Sequence, residues 1–150
     1  MVGSVYQADV RSVHVPIFTS ESYRRGLEFQ LTDAVQKEIQ KQTHFRLAKE
    51  GSADSRLTGR IVRIDKRVLG ESAFDDPREL ELAVAVEVTW EDLRNGVIIA
   101  QQRVLIKAEE IQLLSTGSFA PEVGQSLATA EQQVIQRIAR QVVEMMEMPW

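Results

Sequence analysis

The chain has 150 residues, of which 43% are hydrophobic and 27% are charged, and these proportions exclude a wholly disordered protein. The net charge of -4 argues against a general nucleic-acid binder, because such proteins are usually basic. The absence of cysteine excludes disulfides, thiol catalysis and cysteine-based zinc sites from this sequence. With no repeat and no linker, the sequence predicts one domain over residues 1–150, with an extended or disordered start over residues 1–11.

The first half of the sequence predicts a strand, a helix and a second strand. Ser12–Phe18 alternates apolar and polar residues, which predicts a strand. Tyr23–Gln42 places apolar residues three or four positions apart and predicts an amphipathic helix, followed by a short extended piece at Phe45–Leu47. Arg56–Leu69 predicts the next strand. It requires a bulge or a second buried face, because the apolar residues within Ile61–Ile64 cannot share one side of a regular strand.

The second half predicts a hairpin and a closing helix. Glu79–Asp92 alternates strictly, which indicates a strand with one buried and one wet face. Asn95 and Gly96 tolerate positive φ and predict a tight turn, after which Val97–Glu109 returns as a strand. Leu113–Gly124 is rich in Ser, Gly and Pro and predicts a loop.

A final helix is predicted over Leu127–Met148, with Ser126 as its N-cap. The strand–helix–strand order at the start favours a parallel pair, and the later strands favour an antiparallel meander. The expected fold class is therefore α+β, a two-layer α/β sandwich. Its mixed sheet has about four strands, and two helices pack on one face.

No arrangement of residues predicts an enzyme. The sequence contains no nucleophile elbow and no Gly-rich phosphate loop. His14 and His44 lack a metal-ligand spacing, and the pair Asp75 and Asp76 precedes a proline in a loop, where a solvated turn is the favoured interpretation. We therefore expect no catalytic residue, no metal and no cofactor.

The second long strand is basic and allows two interpretations. Its cations can pair with glutamates of the neighbouring strand, which stabilises a sheet by about 0.2–1 kcal/mol per pair. We favour that explanation for Arg60 and Arg63, which lie in mid-strand. Alternatively, the strand end binds an anionic lipid. Its candidate contacts are Arg63, Lys66 and Arg67, because the following loop leaves Lys66 and Arg67 wet and beyond their strand partners.

A candidate partner surface follows from the returning strand. If Ile98 faces the helices, then Val97, Ile99 and Leu105 face outward, beside two alanines of the preceding strand. A contiguous exposed apolar area suggests a partner surface, although scattered surface hydrophobes are an equal alternative. Phe29 lies opposite the apolar stripe of its helix and either lodges under a loop or contacts a partner.

Several segments together resemble one known family. They are Val13–Phe18, Tyr23–Val35, Leu57–Ile61, the hairpin Asp92–Gly96 and the closing stretch Ala130–Glu147. In this order they resemble the LPS-assembly lipoprotein family, LptE. The resemblance implies a fold with helices on one face of a sheet. It also implies an outer-membrane lipoprotein on the periplasmic face that plugs an LptD-type β-barrel and helps deliver lipopolysaccharide to the outer leaflet.

The family carries a lipidated N-terminal cysteine, which we expect upstream of Val2 because this sequence lacks it. The main expectation is a non-enzymatic plug and chaperone of the translocon, with the barrel and lipopolysaccharide as partners and no nucleic acid. The alternative is a periplasmic binding module for an anionic glycan or lipid. We expect the isolated domain to be a monomer, because the helices cover one sheet face and the net charge favours solubility.

Overall fold

The computed structural model describes residues 10–21, 26–69, 77–113 and 120–148, apart from the side chains at 67–69, 77–80, 109–113 and 120–127. The predicted extended start falls mainly on residues 1–9, outside the described residues, whereas Val10 is fully buried. The elements in chain order are β1 (Ser12–His14), β2 (Thr19–Ser20), α1 (Leu27–Gln42), β3 (Arg46–Leu47), β4 (Ser55–Leu69), β5 (Pro77–Asp92), β6 (Val97–Leu113) and α2 (Ala120–Glu147).

One mixed sheet forms the base of the domain. Its order is β3-β1-β4-β5-β6, with β2 pairing beside β1 on the same edge of β4. The pair β1 and β4 is parallel, as the strand–helix–strand order predicted, and β4, β5 and β6 form an antiparallel meander. The sheet has six strands in place of the expected four or so, because β2 and β3 are two-residue strands too short to produce a sequence pattern.

A bulge in β4 confirms the irregularity that the sequence predicted. Ile61 lies opposite Val86 and Arg63 lies opposite Ala85, so Val62 is the extra residue. Beyond such a bulge, the alternation of side chains between the two faces is reset. Ile64 therefore returns to the core side, where it is partly buried against the apolar cluster.

The predicted first strand is shorter than expected. β1 ends at His14, and residues 15–18 leave the sheet before β2 begins. The helix holds this segment instead: the Gln36 amide donates to the Val15 carbonyl at 3.0 Å, and the Phe18 amide donates to the Thr32 hydroxyl at 2.9 Å. Pro16 has no N–H to offer a strand partner, which favours this departure.

The closing helix begins earlier than predicted. α2 starts at Ala120, so the loop expected to end at Gly124 is shorter and Ser126 lies inside the helix rather than at its N-cap. Pro121 suits the first turn of a helix, where its missing N–H would have no partner anyway. Within the described residues, neither helix is long and apolar enough to cross a membrane.

The core lies between the helices and the inner face of the sheet. β5 contributes its even-numbered residues from Leu82 to Trp90, all almost completely buried. Trp90 also anchors a buried polar link, since its indole N–H donates to the Ser55 hydroxyl at 3.0 Å. The Ser55 hydroxyl in turn donates to the Ser12 carbonyl at 2.7 Å, so this chain of bonds joins β5, β4 and β1.

Candidate functional site

The candidate site is the face of β4, β5 and β6 opposite the helices, which we call the outer face. Side chains alternate along a strand, so the residues between the buried ones of β5 point to this face. Cross-strand register arranges its central part in three rows: Arg60, Glu87 and Arg103; then Arg63, Ala85 and Leu105; then Asp65, Ala83 and Lys107. Ala83 and Ala85 are buried but stand outside the core cluster on the helix side.

Ion pairs occupy most of the basic residues of β4. Arg56 pairs with Glu91 at 3.0 Å, as the cross-strand interpretation predicted. Arg60 pairs with Glu87 at 3.4 Å and with Glu21 at 3.1 Å. These cations are half-exposed or partly buried, so each pair contributes about 0–1 kcal/mol and serves mainly to align the strands.

The three candidate lipid contacts do not form one cluster. Arg63 pairs with Asp65 of its own strand, rather than with a glutamate of β5. Lys66 is exposed, as expected, but it lies opposite Leu82, whose side chain belongs to the core. Arg67 lies opposite Glu81, and its own side chain is outside the described part of the chain.

The expectation that Lys66 and Arg67 extend beyond their strand partners is wrong. β4 and β5 remain paired up to Leu69 and Glu79, so both residues lie within the ladder. Successive strand residues belong to opposite faces, so Lys66 and Arg63 are directed to different sides of the sheet. Within the described residues, the structure gives Lys66 no ion pair.

The partner surface requires two corrections, at Ile99 and at Val97. The register passes from Trp90 opposite Ala100 to Glu91 opposite Ile98, so Ile99 is a bulged residue. The bulge turns Ile99 towards the core, where it is partly buried, and leaves Ile98 54% exposed opposite Glu91. The sequence assigned the reverse orientation to this pair, because it assumed unbroken alternation.

Leu105 is 52% exposed on the outer face, as the sequence predicted. Val97 is exposed as well, but the prediction that it faces outward is wrong: it lies opposite the buried Asp92, on the helix side of the sheet at its hairpin end. Phe29 is 56% exposed on α1, which belongs to the helix layer. The structure therefore does not bring Phe29 and Leu105 together into one patch.

A depression that the sequence patterns did not predict lies at the edge of the outer face. Its volume is about 480 Å³, and its lining residues include Pro16, Ile17, Thr58, Thr89 and Gln101. The segment that leaves the sheet after β1 forms one wall and leaves Ile17 57% exposed. The Gln101 amide donates to the Thr89 hydroxyl at 3.2 Å across the floor. Pro16 was the signal that this segment could leave the sheet.

The hairpin between β5 and β6 is held by a buried carboxylate. Asp92 is fully buried, and the Arg94 guanidinium contacts it at 2.8 and 3.0 Å. These side-chain hydrogen bonds, together with one from the Arg94 backbone N–H and the nearby positive charge, lower the pKa of Asp92 against the opposing effect of burial. These contacts hold the turn between β5 and β6 in place.

The histidines and carboxylates do not form a metal centre in the described part of the chain, where no group of three potential ligands occurs. His14 Nδ1 lies 3.1 Å from the Ala48 carbonyl oxygen, and this hydrogen bond gives the His14 ring a structural role.

The fold is a small α+β domain that several solved bacterial lipoproteins share. A minor lipoprotein from Acinetobacter baumannii is 14% identical, with 90% of this chain and 89% of that chain covered and a TM-score of 0.52. The uncharacterized lipoprotein B from Nitrosomonas europaea is 18% identical, with 89% and 82% covered and a TM-score of 0.53. The rare lipoprotein B from Shewanella oneidensis is 12% identical, with 89% and 92% covered and a TM-score of 0.51.

The chain belongs to the LptE lipopolysaccharide-assembly family, whose model matches residues 10–147. A search among proteins of curated function found no significant match. The resemblance and the fold class predicted from the sequence are both confirmed. The family is non-enzymatic and acts in lipopolysaccharide assembly, and its lipoprotein relatives indicate an association with the cell envelope.

Proposed function

We propose that this protein is the plug and chaperone of a lipopolysaccharide translocon, seated in an LptD-type β-barrel at the periplasmic face of the outer membrane. The observation that carries the proposal is the family match, which spans residues 10–147 and so includes every described strand and both helices. The isolated domain is proposed to be a monomer that receives its large partner through the outer face.

The composition of the outer face supports a contact inside a barrel. Ile17, Ile98 and Leu105 are each more than half exposed, and burying a leucine-sized side chain fully contributes about 1.5–3 kcal/mol. Charged residues such as Arg60 and Glu87 surround them on the same face. The lumen of an outer-membrane barrel is polar, so a plug needs a mixed surface of this kind rather than a wholly apolar one.

Co-purification with the barrel tests the plug role. The chain is co-expressed with a tagged LptD-type barrel from the same organism, and the amount recovered on the tag is measured. Leu105→Glu places a charge on the outer face and should reduce recovery severalfold. Met148→Glu is the matched control, because Met148 is 53% exposed against 52% for Leu105 and lies beyond the end of α2.

Equal recovery of the two variants would contradict a contact through the outer face, and failure of the native chain to bind the barrel would contradict the plug role itself. Phe29→Glu, measured in parallel, reports whether the helix layer also contacts the barrel.

The second candidate function is that of a binding module for an anionic lipid or glycan. Its support is Lys66, which is exposed and has no ion pair among the described residues. If the module binds alone, titration with lipopolysaccharide should show saturable binding without the barrel. Lys66→Glu with Arg67→Glu should weaken it, and the loss should shrink as salt is raised. Binding unchanged at every salt concentration would assign these residues a structural role only.

A further inference from the structure

We propose that the open edge of β6 between Arg103 and Lys107 binds an extended strand of a partner protein. That strand would carry carboxylates two positions before and two positions after an apolar residue. The inference deepens the proposed function and rests on it, since it names the edge by which a protein of the translocon would add a strand to this sheet.

The edge is long and unpaired in the described part of the chain. β6 runs over Val97–Leu113 and pairs with β5 on one side, and no described strand lies on its other side. The opposite edge of the sheet is β3, which has only two residues. Folded proteins usually protect their edges with short strands, covering segments, proline or charged side chains. β6 contains no proline, and its charged residues Arg103 and Lys107 disfavour pairing with an apolar or basic strand but not with an acidic one.

The direction of the backbone hydrogen bonds shows which residues of β6 point their N–H and carbonyl groups to the open side. The Glu21 N–H donates to the Ile61 carbonyl at 3.1 Å, so the backbone N–H and carbonyl of Ile61 point towards β2. Those of its neighbour Arg60 therefore point towards β5. Backbone groups alternate in direction along a strand. Glu87 lies opposite Arg60, so its backbone groups point towards β4, and those of Val86 point towards β6.

Val104, opposite Val86, is therefore bonded to β5, and the odd-numbered residues of β6 beyond the bulge direct their backbone groups outward. An independent contact agrees: the Arg137 guanidinium of α2 donates to the Lys107 carbonyl oxygen at 3.0 Å. Arg103 and Leu105 thus offer both their N–H and their carbonyl groups to the open side, whereas Lys107 offers its N–H and has its carbonyl already bonded to Arg137.

The side chains of these residues set the chemistry of the occupant. They form a row of cation, leucine and cation, all exposed on the outer face. Neither cation has an ion pair among the described residues: Glu87 lies beside Arg103 but bonds Arg60, and the residue beside Lys107 is Ala83. A strand added at this edge places its side chains about 4.5–5.5 Å from this row.

The complementary strand therefore carries an acidic residue opposite each cation and an apolar residue opposite Leu105. Strand addition takes its affinity from backbone hydrogen bonds and its specificity from alternate side chains, which matches this combination of an open edge and a patterned row. An anionic lipid would use the two cations but neither the open backbone groups nor the apolar residue between them.

The experiment uses the full chain and a synthetic peptide of nine residues. The peptide has glutamate at positions three and seven, valine at position five and threonine elsewhere, and a scrambled peptide of the same composition is the comparison. Binding is followed by amide resonances of the ¹⁵N-labelled chain, which is small enough at 17.0 kDa. The patterned peptide should shift and protect the amides of Arg103, Leu105 and Lys107, and the scrambled one should bind more weakly.

Two variants test the two parts of the proposal. Leu105→Pro removes an outward N–H that bonds nothing in the sheet, so the fold should persist while binding is lost. Arg103→Glu with Lys107→Glu should weaken binding about tenfold, because two attractive cross-strand pairs become repulsive. The matched control is Lys41→Glu with Lys49→Glu, which changes the net charge equally at exposed positions on α1 and after β3. This control should bind the peptide as the native chain does.

Several results would overturn the proposal. These are no binding of the patterned peptide, amide shifts outside β6, or an equal loss of binding in the control variant. A dimer of the native chain joined through β6 would show the edge to be occupied by a second copy. Binding of anionic vesicles at Arg103 and Lys107 without peptide binding would show a lipid site.

If the barrel binds Leu105→Pro as it binds the native chain, the edge is not used although the plug role stands. A barrel that binds no form of the chain contradicts the plug role while the peptide result still decides the edge.

Discussion

Replacing Gly59 by alanine should destabilise the domain through one specific clash. Gly59 is in β4 with its missing side chain directed at Phe18, which is 1% exposed. A Cβ there would lie 2.5 Å from Cδ2 and Cζ of the ring and closer still to Cε2, whereas carbon atoms at rest lie about 3.5–4.0 Å apart. The glycine is thus needed for close approach, since it has no positive φ.

Neither side of this contact can move freely. β4 is paired with β5 on one edge and with β1 and β2 on the other. The Phe18 N–H donates to the Thr32 hydroxyl, which holds the backbone in place, and the ring is 1% exposed within the core cluster, so it can rotate away only if its neighbours move. Overpacking of a well-packed core costs about 1–3 kcal/mol. At about 2–4 °C per kcal/mol for a chain of this size, the melting temperature should fall by about 2–12 °C.

Thermal unfolding followed by circular dichroism measures the effect, and a second substitution tests its cause. Phe18→Leu shortens the ring side and should recover part of the loss when combined with Gly59→Ala. Gly96→Ala is the control, because its Cβ would meet nothing within 4 Å and its cost arises from a φ of 74° alone. An unchanged melting temperature for Gly59→Ala, or equal recovery of Gly96→Ala by Phe18→Leu, would refute the clash.

Two further predictions concern the buried polar groups at the hairpin end of the sheet. Asp92→Asn should cost about 1.5–3 kcal/mol at neutral pH, because it removes the charged hydrogen bonds with Arg94. The pKa of Asp92 is lowered in the folded state, so its contribution is complete above the ordinary carboxyl pKa of about 3.9 and is lost as pH falls through the folded value. Urea titrations from pH 7 to pH 2 should therefore show the two proteins converging in acid, and a constant difference would contradict this. Trp90→Phe should lower the free energy of unfolding by about 1–3 kcal/mol, because it leaves a cavity and removes the donor to Ser55. The same urea titrations measure this change, and a decrease below about 0.5 kcal/mol would exclude a stabilising role for the buried bond.

The location of residues on the outer face could be predicted only in part. Leu105 was correctly placed because its strand alternates without interruption around it. Ile98 and Ile99 were assigned to the wrong faces, because a bulge opposite Trp90 and Glu91 interrupts the alternation of side chains between the two faces. Nothing in the local sequence marks a bulge at that point. Lys66 was predicted to lie beyond the end of its partner strand. That prediction was wrong because the sequence does not show how far β4 and β5 remain paired.

Local patterns in the sequence suffice to predict the two helices, the three long strands, an irregularity of β4 near Ile61–Ile64 and the family. Each of these is recorded in short-range patterns: a period of two or 3.6, crowding of apolar residues, or an ordered set of segments. Contacts between distant parts of the chain determine the path of residues 15–18 outside the sheet, which Pro16 permits but does not specify. They also determine the open edge of β6 and the orientation of Ile99. These features depend on hydrogen bonds between residues far apart in the chain, such as Gln36 with Val15 or Arg137 with Lys107, and local periodicity carries no record of such partners.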